Sequence, residues 1–130
     1  MSLGLTAGAG AGVALAEGAA GAVGYVHGAL LSGSGRAADA EVETLYVIRA
    51  AQGVGVGRGL LTACARVLKA EGAASLMLFV LTGNEPARRF YEHLGAEPFA
   101  EVASHGWGAE ITETAYRWRD IGALAGSLPP

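Results

Sequence analysis

Four glycines alternate with larger residues between positions 53 and 59, and a loop of this kind could bind an anion. The surrounding stretch reads LYVIRAAQGVGVGRGLL from Leu45 to Leu61, with a β-type run before the glycines and a helix-type run after them. Residues without Cβ atoms let phosphate oxygens approach the backbone closely. The N-terminus of the following helix adds N–H donors and partial positive charge. The alternative is a glycine-rich turn in a chain with 21 glycines.

The spacing of these glycines excludes two familiar phosphate loops. A P-loop requires Lys and then Ser or Thr after its last glycine, whereas Arg58 and Gly59 follow Gly57 here. A dinucleotide-binding fingerprint requires a further glycine three residues beyond Gly57, where this chain has Leu60. The pattern that remains is Gln52-x-x-Gly55-x-Gly57 between a strand and a helix.

Two more groups of residues could take part in chemistry. The segment NEPARRFYEHLGAEPF, from Asn84 to Phe99, predicts a helix with Pro86 in its first turn and contains Tyr91. Glu41 and Glu43 alternate onto one face of a predicted strand. A packed helix tyrosine and two solvated glutamates would show the same pattern.

The elements that must position these residues form a single α/β run, without internal repeats or a linker. The first twelve residues have no apolar period and are expected to be loose, residues 13–120 form one domain, and 121–130 form a C-terminal tail. The strand at 75–81 is apolar on both faces and is expected to be central and buried. Alternation and helical spacing predict strands at 13–17, 22–31, 41–48, 75–81, 98–103 and 110–118, and helices at 57–71 and 86–94.

Composition narrows the possible classes of protein. The 130 residues are 52% hydrophobic and 16% charged, as in a globular domain, and a net charge of −3 predicts no binding to nucleic acid or to anionic membranes. The one cysteine, Cys64, precludes an internal disulfide and favours a reducing, cytoplasmic location. No signal peptide or membrane span is expected. His27, His93 and His105 are scattered, so no metal site is expected.

Together, the glycine loop and the Asn84–Phe99 segment resemble the GNAT superfamily of acyl-CoA N-acyltransferases. The family's pyrophosphate loop reads Gln/Arg-x-x-Gly-x-Gly/Ala in this position, and its later segment has Asn, then Ala, Phe-Tyr and Gly at the spacing found here. The resemblance covers about residues 13–120. It implies an α/β (α+β) fold with a mixed, mostly antiparallel sheet and helices on both faces. The usual first strand and two N-terminal helices are expected to be missing.

The resemblance also implies an acetyl-CoA site and direct transfer of the acetyl group to an amine. The β-strand backbone would bind pantetheine, the glycine loop would bind the pyrophosphate, and Val47 N–H would stabilise the oxyanion. Tyr91 would protonate the leaving thiolate, and Glu41 or Glu43, with Glu41 preferred, would act as base. Arg58, Arg88 or Arg89 would reach the adenosine phosphate. The implied cofactor-binding residues are Leu45, Tyr46, Val47, Gln52, Gly53, Val54, Gly55, Val56, Gly57, Arg58, Asn84 and Tyr91.

The short N-terminal region departs from the family pattern, because full members place two helices there that wall the acceptor site. The acceptor amine, a small molecule or a peptide, would then meet an open site, and bare apolar sheet surface would favour a homodimer. The alternative function is a non-catalytic acyl-CoA-binding or interaction module that lacks its own acceptor site. Trp107 and Trp118 are expected either to line an acceptor cleft or to pack in the core.

Overall fold

The computed structural model describes residues 2–8, 11–19, 21–53, 55–106 and 109–126. The strands are β1 (Ser2–Gly8), β2 (Ala11–Gly18), β3 (Gly21–Leu30), β4 (Ala40–Val47), β5 (Leu76–Leu81), β6 (Glu97–Gly106) and β7 (Ala109–Trp118). The helices are α1 (Val56–Ala70), α2 (Glu85–His93) and α3 (Ile121–Ala125), and a 3-10 turn spans Arg49–Ala51. The α/β class, the β2–β3 hairpin and both longer predicted helices are confirmed.

The strands form one seven-stranded sheet in the order β1-β2-β3-β4-β5-β7-β6. Every neighbouring pair is antiparallel except β4 and β5, which are parallel and are joined by α1 as a crossover. Only two residue pairs link β4 to β5, Ala40 with Leu76 and Glu41 with Met77. Beyond Glu41, β4 departs from β5, and an opening forms in the middle of the sheet.

Helix α1 packs very closely against β2 and β3, and this explains the glycines within those strands. Its predicted apolar stripe, which includes Leu60 and Cys64, is fully buried. A Cβ atom at Gly24 would lie 2.8 Å from Leu60 Cδ1, and one at Gly28 would lie 2.8 Å from Cys64 Sγ. Both distances are too short for a real contact, so the helix can sit at this depth only over glycine.

Helices α2 and α3 lie on the same face of the sheet as α1. The Tyr91 ring of α2 meets the rings of Tyr116 and Trp118, which are on the buried face of β7. Ile121 and Leu124 of α3 are buried in the same core. The expectation of helices on both faces was therefore wrong for the described residues, because no helix precedes Val56 there apart from the 3-10 turn.

We call the other face of the sheet the open face. Its exposed large apolar side chains are Tyr25, Tyr46, Phe79, Leu81 and Val102, and it also carries His27, Glu41, Glu43 and Glu113. The predicted central position of β5 is confirmed, but its burial on both faces is not. Phe79 is 39% and Leu81 is 51% exposed, since no described helix covers this face.

The two ends of the described chain are more ordered than the sequence predicted. Residues 2–8, expected to be loose, form β1 and pair with β2, so the expectation that the first strand is missing was wrong. Only residues 9 and 10, which lie outside the described part, separate these strands, so the two helices are missing between them, as predicted. Within the predicted tail, α3 packs against α1. No described helix is long and apolar enough to cross a membrane.

Candidate active site

The opening between β4 and β5 continues into a cleft of about 880 Å³, which brings together most of the predicted cofactor site. Val54 lies outside the described residues. Val56 is only 6% exposed and its side chain packs in the core, so only its backbone is available to a ligand. The predicted residues that line the cleft are Leu45, Tyr46, Val47, Gln52, Gly53, Gly55, Gly57, Arg58, Asn84 and Tyr91.

The backbone of β4 presents alternate residues to this opening. Ile48 N–H donates to Val23 O at 2.9 Å, and the antiparallel ladder alternates from that pair onward. The polar backbone groups of Leu45 and Val47 therefore point away from β3. Since β5 has already separated from β4 at this level, these groups line the opening as a strand edge without a neighbouring strand, where an extended ligand could pair. Val47 O already accepts from the Gln52 side chain, so a ligand would use Leu45 and the Val47 N–H.

The glycine loop is shaped by two left-handed residues. Gly53 has φ 81° and Gly55 has φ 86°, values that favour glycine, and Gly55 is the N-cap of α1. The first bond within the helix runs from Gly59 N–H to Gly55 O at 3.0 Å. The amides of Val56 and Gly57 precede it and have no acceptor inside the helix, so they are placed to bind an anion.

Gln52 ties the loop to the end of the strand. Its Nε2 donates to Val47 O at 3.1 Å, across the 3-10 turn that joins β4 to the loop. The side chain thus holds the loop and the strand in one arrangement, a role that the motif alone does not reveal.

Asn84 begins the second helix beside the cleft. Its Oδ1 accepts from Ala87 N–H at 3.3 Å, which makes Asn84 the N-cap of α2, and Pro86 follows in the first turn. Because capping uses the side-chain oxygen, the amide nitrogen is the atom that would donate to a ligand in the cleft.

Tyr91 lies on α2 between aromatic neighbours. Its ring centroid is 5.3 Å from that of Phe90, 6.3 Å from that of Tyr116 and 6.4 Å from that of Trp118. Burial raises the pKa of the Tyr91 phenol above its usual value. The hydroxyl therefore stays protonated at neutral pH, as a proton donor must.

The three arginines considered for an adenosine phosphate have different surroundings. Arg58 lines the cleft. Arg88 donates to Tyr116 Oη and to Thr82 O, both at 3.1 Å, which ties it into the fold. Arg89 lies 3.6 Å from Glu85 on the surface of α2. Only Arg58 of the three is therefore among the cleft residues.

The two candidate bases lie on the open face, where their environments differ. Burial raises the pKa of Glu41, and the nearby charges of Glu43 and Glu113 raise it further. Glu43 instead lies 3.1 Å from His27 Nδ1. Sequence reasoning set His27 aside. Strand alternation puts His27 and Glu43 on one face of the sheet, but the contact between them depends on the register between β3 and β4.

The remaining residues of interest are structural. Burial raises the pKa of the Cys64 thiol to about 12, so it stays protonated, and its Sγ donates to Gly12 O at 3.6 Å. Trp118 is in the core, and its Nε1 donates to Leu94 O at 3.1 Å. Trp107 lies outside the described residues. A smaller depression of about 420 Å³ between α1 and α3 is lined by none of the candidate groups.

No group of three or more His, Cys, Asp or Glu residues in the described part of the chain could hold a metal ion.

Comparison with known proteins identifies the family. Residues 5–96 match the model of the acetyltransferase (GNAT) family. The chain therefore belongs to this family, as the glycine loop and the Asn84–Phe99 segment indicated.

Several known proteins are similar to the chain. Mycothiol acetyltransferase of Beutenbergia cavernae is 41% identical over 70 residues, which are 54% of this chain and 24% of that protein. The uncharacterised N-acetyltransferase YuaI of Bacillus subtilis is 31% identical over 86 residues, 66% of this chain and 49% of that protein. The chain thus spans about a quarter and about half of these relatives. The structure of Salmonella typhimurium yncA with its cofactor acetyl-CoA superposes with a TM-score of 0.67 at 23% identity, over 85% of this chain and 65% of that one.

Proposed function

We propose that this chain binds acetyl-CoA in the cleft and transfers the acetyl group to an amine by direct attack. The observation that carries the proposal is the convergence, around one opening in the sheet, of an unpaired strand edge, a glycine loop at a helix N-terminus and a protonated tyrosine. Each of these matches one part of the ligand. Membership of the GNAT family and the acetyl-CoA held by yncA support the same assignment.

Successive parts of acetyl-CoA are matched to successive groups of residues along the cleft. The pyrophosphate binds the amides of Gly53 to Gly57, where the helix N-terminus favours negative charge. The pantetheine arm lies along the edge of β4 and accepts a hydrogen bond from Asn84. Arg58 binds a phosphate of the adenosine end. The sulfur then reaches the opening near Tyr91.

The acyl transfer needs an oxyanion donor and an acid. The amine nitrogen attacks the thioester carbon, the tetrahedral intermediate places charge on its oxygen, and the C–S bond breaks as Tyr91 protonates the thiolate. Val47 N–H and Leu45 N–H both point into the opening. Leu45 lies two residues, or roughly 7 Å, nearer to the carboxylates along the strand, and we place the oxyanion there rather than at Val47.

Glu41 is the better placed of the two glutamates to accept a proton from the nitrogen. Its raised pKa makes the carboxylate more basic, whereas the carboxylate of Glu43 is engaged by His27. The acceptor approaches from the open face, since the three described helices occupy the other side. We propose that a homodimer forms around Val102 of edge strand β6 on the same face, away from the opening, so that the acceptor can still enter. A cytoplasmic location remains a prediction.

The alternative function is a non-catalytic acyl-CoA-binding module. The observation that favours it is the bare open face, where no described helix forms the wall of an acceptor site. A turnover screen distinguishes the two functions. Purified protein with acetyl-CoA is tested against alkylamines, amino sugars and peptide N-termini while free thiol is recorded. Amine-dependent thiol release supports the enzyme. Binding of acetyl-CoA without release for any class supports the module, and absence of binding contradicts both.

A further inference from the structure

A histidine–glutamate pair stands on the open face beside the opening. His27 Nδ1 lies 3.1 Å from Glu43 Oε2, and the side chains are 31% and 48% exposed. His27 lies on β3 directly opposite Thr44, the residue that precedes Leu45 on β4. The pair is therefore close to the proposed oxyanion position and accessible from the side on which the acceptor enters.

A β-bulge brings the two residues together. The register between β3 and β4 shifts at His27, which pairs with Thr44, while Gly28 pairs with Val42. Glu43 is the extra residue of β4, so Glu43 and Thr44 both oppose His27. The bulge turns the Glu43 side chain toward the imidazole.

The contact selects one nitrogen of the imidazole. When Nδ1–H donates to Glu43, the neutral ring carries its lone pair on Nε2, the atom farther from the carboxylate. Glu43 thus fixes the tautomer in which Nε2 can accept a proton from an outside group.

Starting from an alkylammonium ion, the proposed reaction removes two protons from the nitrogen in two separate steps. An alkylammonium ion must lose one proton before its nitrogen can attack. The nitrogen must lose a second proton after the C–N bond forms, while the thiolate takes one from Tyr91. The nitrogen loses its first proton while the acceptor approaches the thioester, and its second proton from the tetrahedral intermediate.

We propose that His27 Nε2 takes the first proton from the incoming alkylammonium ion, an inference that rests on the proposed function. Glu43 is the positioning residue that holds the imidazole, and Glu41 takes the second proton. Other titratable groups on this face include Glu41 and Tyr46 on β4, Glu113 and Arg117 on β7 and Tyr25 on β3, while β2 places Val13 opposite His27. The carboxylates attract the cationic acceptor toward this pair.

The test compares two small acceptors with the purified protein at neutral pH. Ethylamine arrives charged and needs the first proton removed, whereas hydroxylamine is largely neutral and does not. His27→Gln should lower kcat/KM for ethylamine by about 10²-fold, the low end of general-base effects, and change that for hydroxylamine less than threefold. Glu43→Gln should act in the same direction but more weakly. Glu41→Gln should slow both acceptors.

Glu101→Gln, on edge strand β6 away from the opening, is the matched control and should leave both rates unchanged. Equal losses for both acceptors in His27→Gln, or no loss for either, would overturn the role of His27. If the wild-type protein binds acetyl-CoA but acetylates neither acceptor nor any amine of the screen, the proposed function fails, and the proton-acceptor role with it.

A second readout needs no turnover. Nitrogen-15 NMR of the neutral imidazole should show the proton of His27 on Nδ1 in the wild-type protein and a mixture of tautomers in Glu43→Gln. A proton on Nε2 in the wild-type protein would overturn the proposal even if the enzyme is active.

Discussion

The side chain of Gln52 donates a hydrogen bond to the backbone oxygen of Val47, 3.1 Å away, and so joins the glycine loop to the strand edge. The two surfaces proposed to bind the pyrophosphate and the pantetheine arm are thus held in register by one bond. Gln52, the first residue of the loop motif, thus supports ligand binding indirectly, by holding the glycine loop in position.

Replacing Gln52 with alanine should weaken acetyl-CoA binding modestly. The lost bond is exposed and is worth about 0.5–1.5 kcal/mol, which corresponds to roughly 2- to 10-fold in Kd. Calorimetric titration measures the change, and the melting temperature should fall by only a few degrees. A Kd equal to that of the wild-type protein would show that the loop keeps its shape without this bond.

Tyr91→Phe should lower kcat while leaving acetyl-CoA affinity nearly intact. The ring still packs between its neighbours, but the proton donor to the thiolate is lost, and we expect a decrease of about 10²-fold because water can partly substitute at an open site. Steady-state kinetics with the best amine of the screen provides the measurement. An unchanged kcat at every pH would make Tyr91 a packing residue.

Tyr116→Phe is the matched control for that substitution. Tyr116 is fully buried, accepts from Arg88 and donates to Glu92, so the loss of its hydroxyl removes two hydrogen bonds to charged groups, although Arg88 keeps its bond to Thr82 O and Glu92 is exposed. It should destabilise the fold by about 1–3 kcal/mol with kcat unchanged, the reverse of the Tyr91 pattern.

Glu41→Gln should stabilise the fold at neutral pH even as it removes activity. Above its raised pKa, Glu41 is charged, and burial together with Glu43 and Glu113 makes that charge unfavourable in the folded state. The neutral variant should therefore melt about 1–3 °C higher at neutral pH. As the pH falls through the raised pKa, the wild-type carboxyl is protonated and the difference closes. A gain that persists or grows in acid would contradict this assignment.

The open face should mediate homodimerisation. Val102 is 44% exposed on this face of β6, so Val102→Lys should shift the protein toward monomer in light scattering at tens of micromolar while acetyl-CoA binding persists. Glu101→Lys places a lysine one residue away, on the other side of the strand, with a larger change in net charge, and should not shift the protein toward monomer. A wild-type monomer at this concentration would refute the dimer.

Most of the fold could be predicted from periodicity, and the errors have a common physical cause. Leu60 and Cys64 lie on a clear helical stripe, and α1 formed where that stripe predicted. Strand β1 has a weaker signal, because only Leu3 and Leu5 are large in its alternating sequence SLGLTAG and the Gly- and Ala-rich residues after it hide the pattern. Gly24 and Gly28 likewise weaken the β pattern where α1 requires bare backbone.

The parts of the site that come from one short stretch of sequence could be predicted. The glycine loop and the Asn84–Tyr91 segment each lie within a few consecutive residues, so their spacing already predicts their arrangement. The His27–Glu43 contact depends on a one-residue bulge between two strands, and no sequence pattern indicates where such a bulge falls. The position of all three helices on one face of the sheet likewise depends on packing over the whole sheet, which no short stretch of sequence indicates.

The central claim, that acetyl-CoA binds with its pyrophosphate on the glycine loop, is tested most directly by titrating three proteins with acetyl-CoA in a calorimeter. Gly57 lines the cleft without a left-handed φ, and a Cβ there would sit 3.4 Å from Phe90, an ordinary contact. Gly57→Val has room for its Cβ atom and should weaken binding at least tenfold, because its branched side chain meets the phosphate oxygens, and its melting temperature checks that it folds. Gly83→Ala, in open space outside the cleft, should bind like the wild-type protein. Equal affinity in all three proteins would contradict the account.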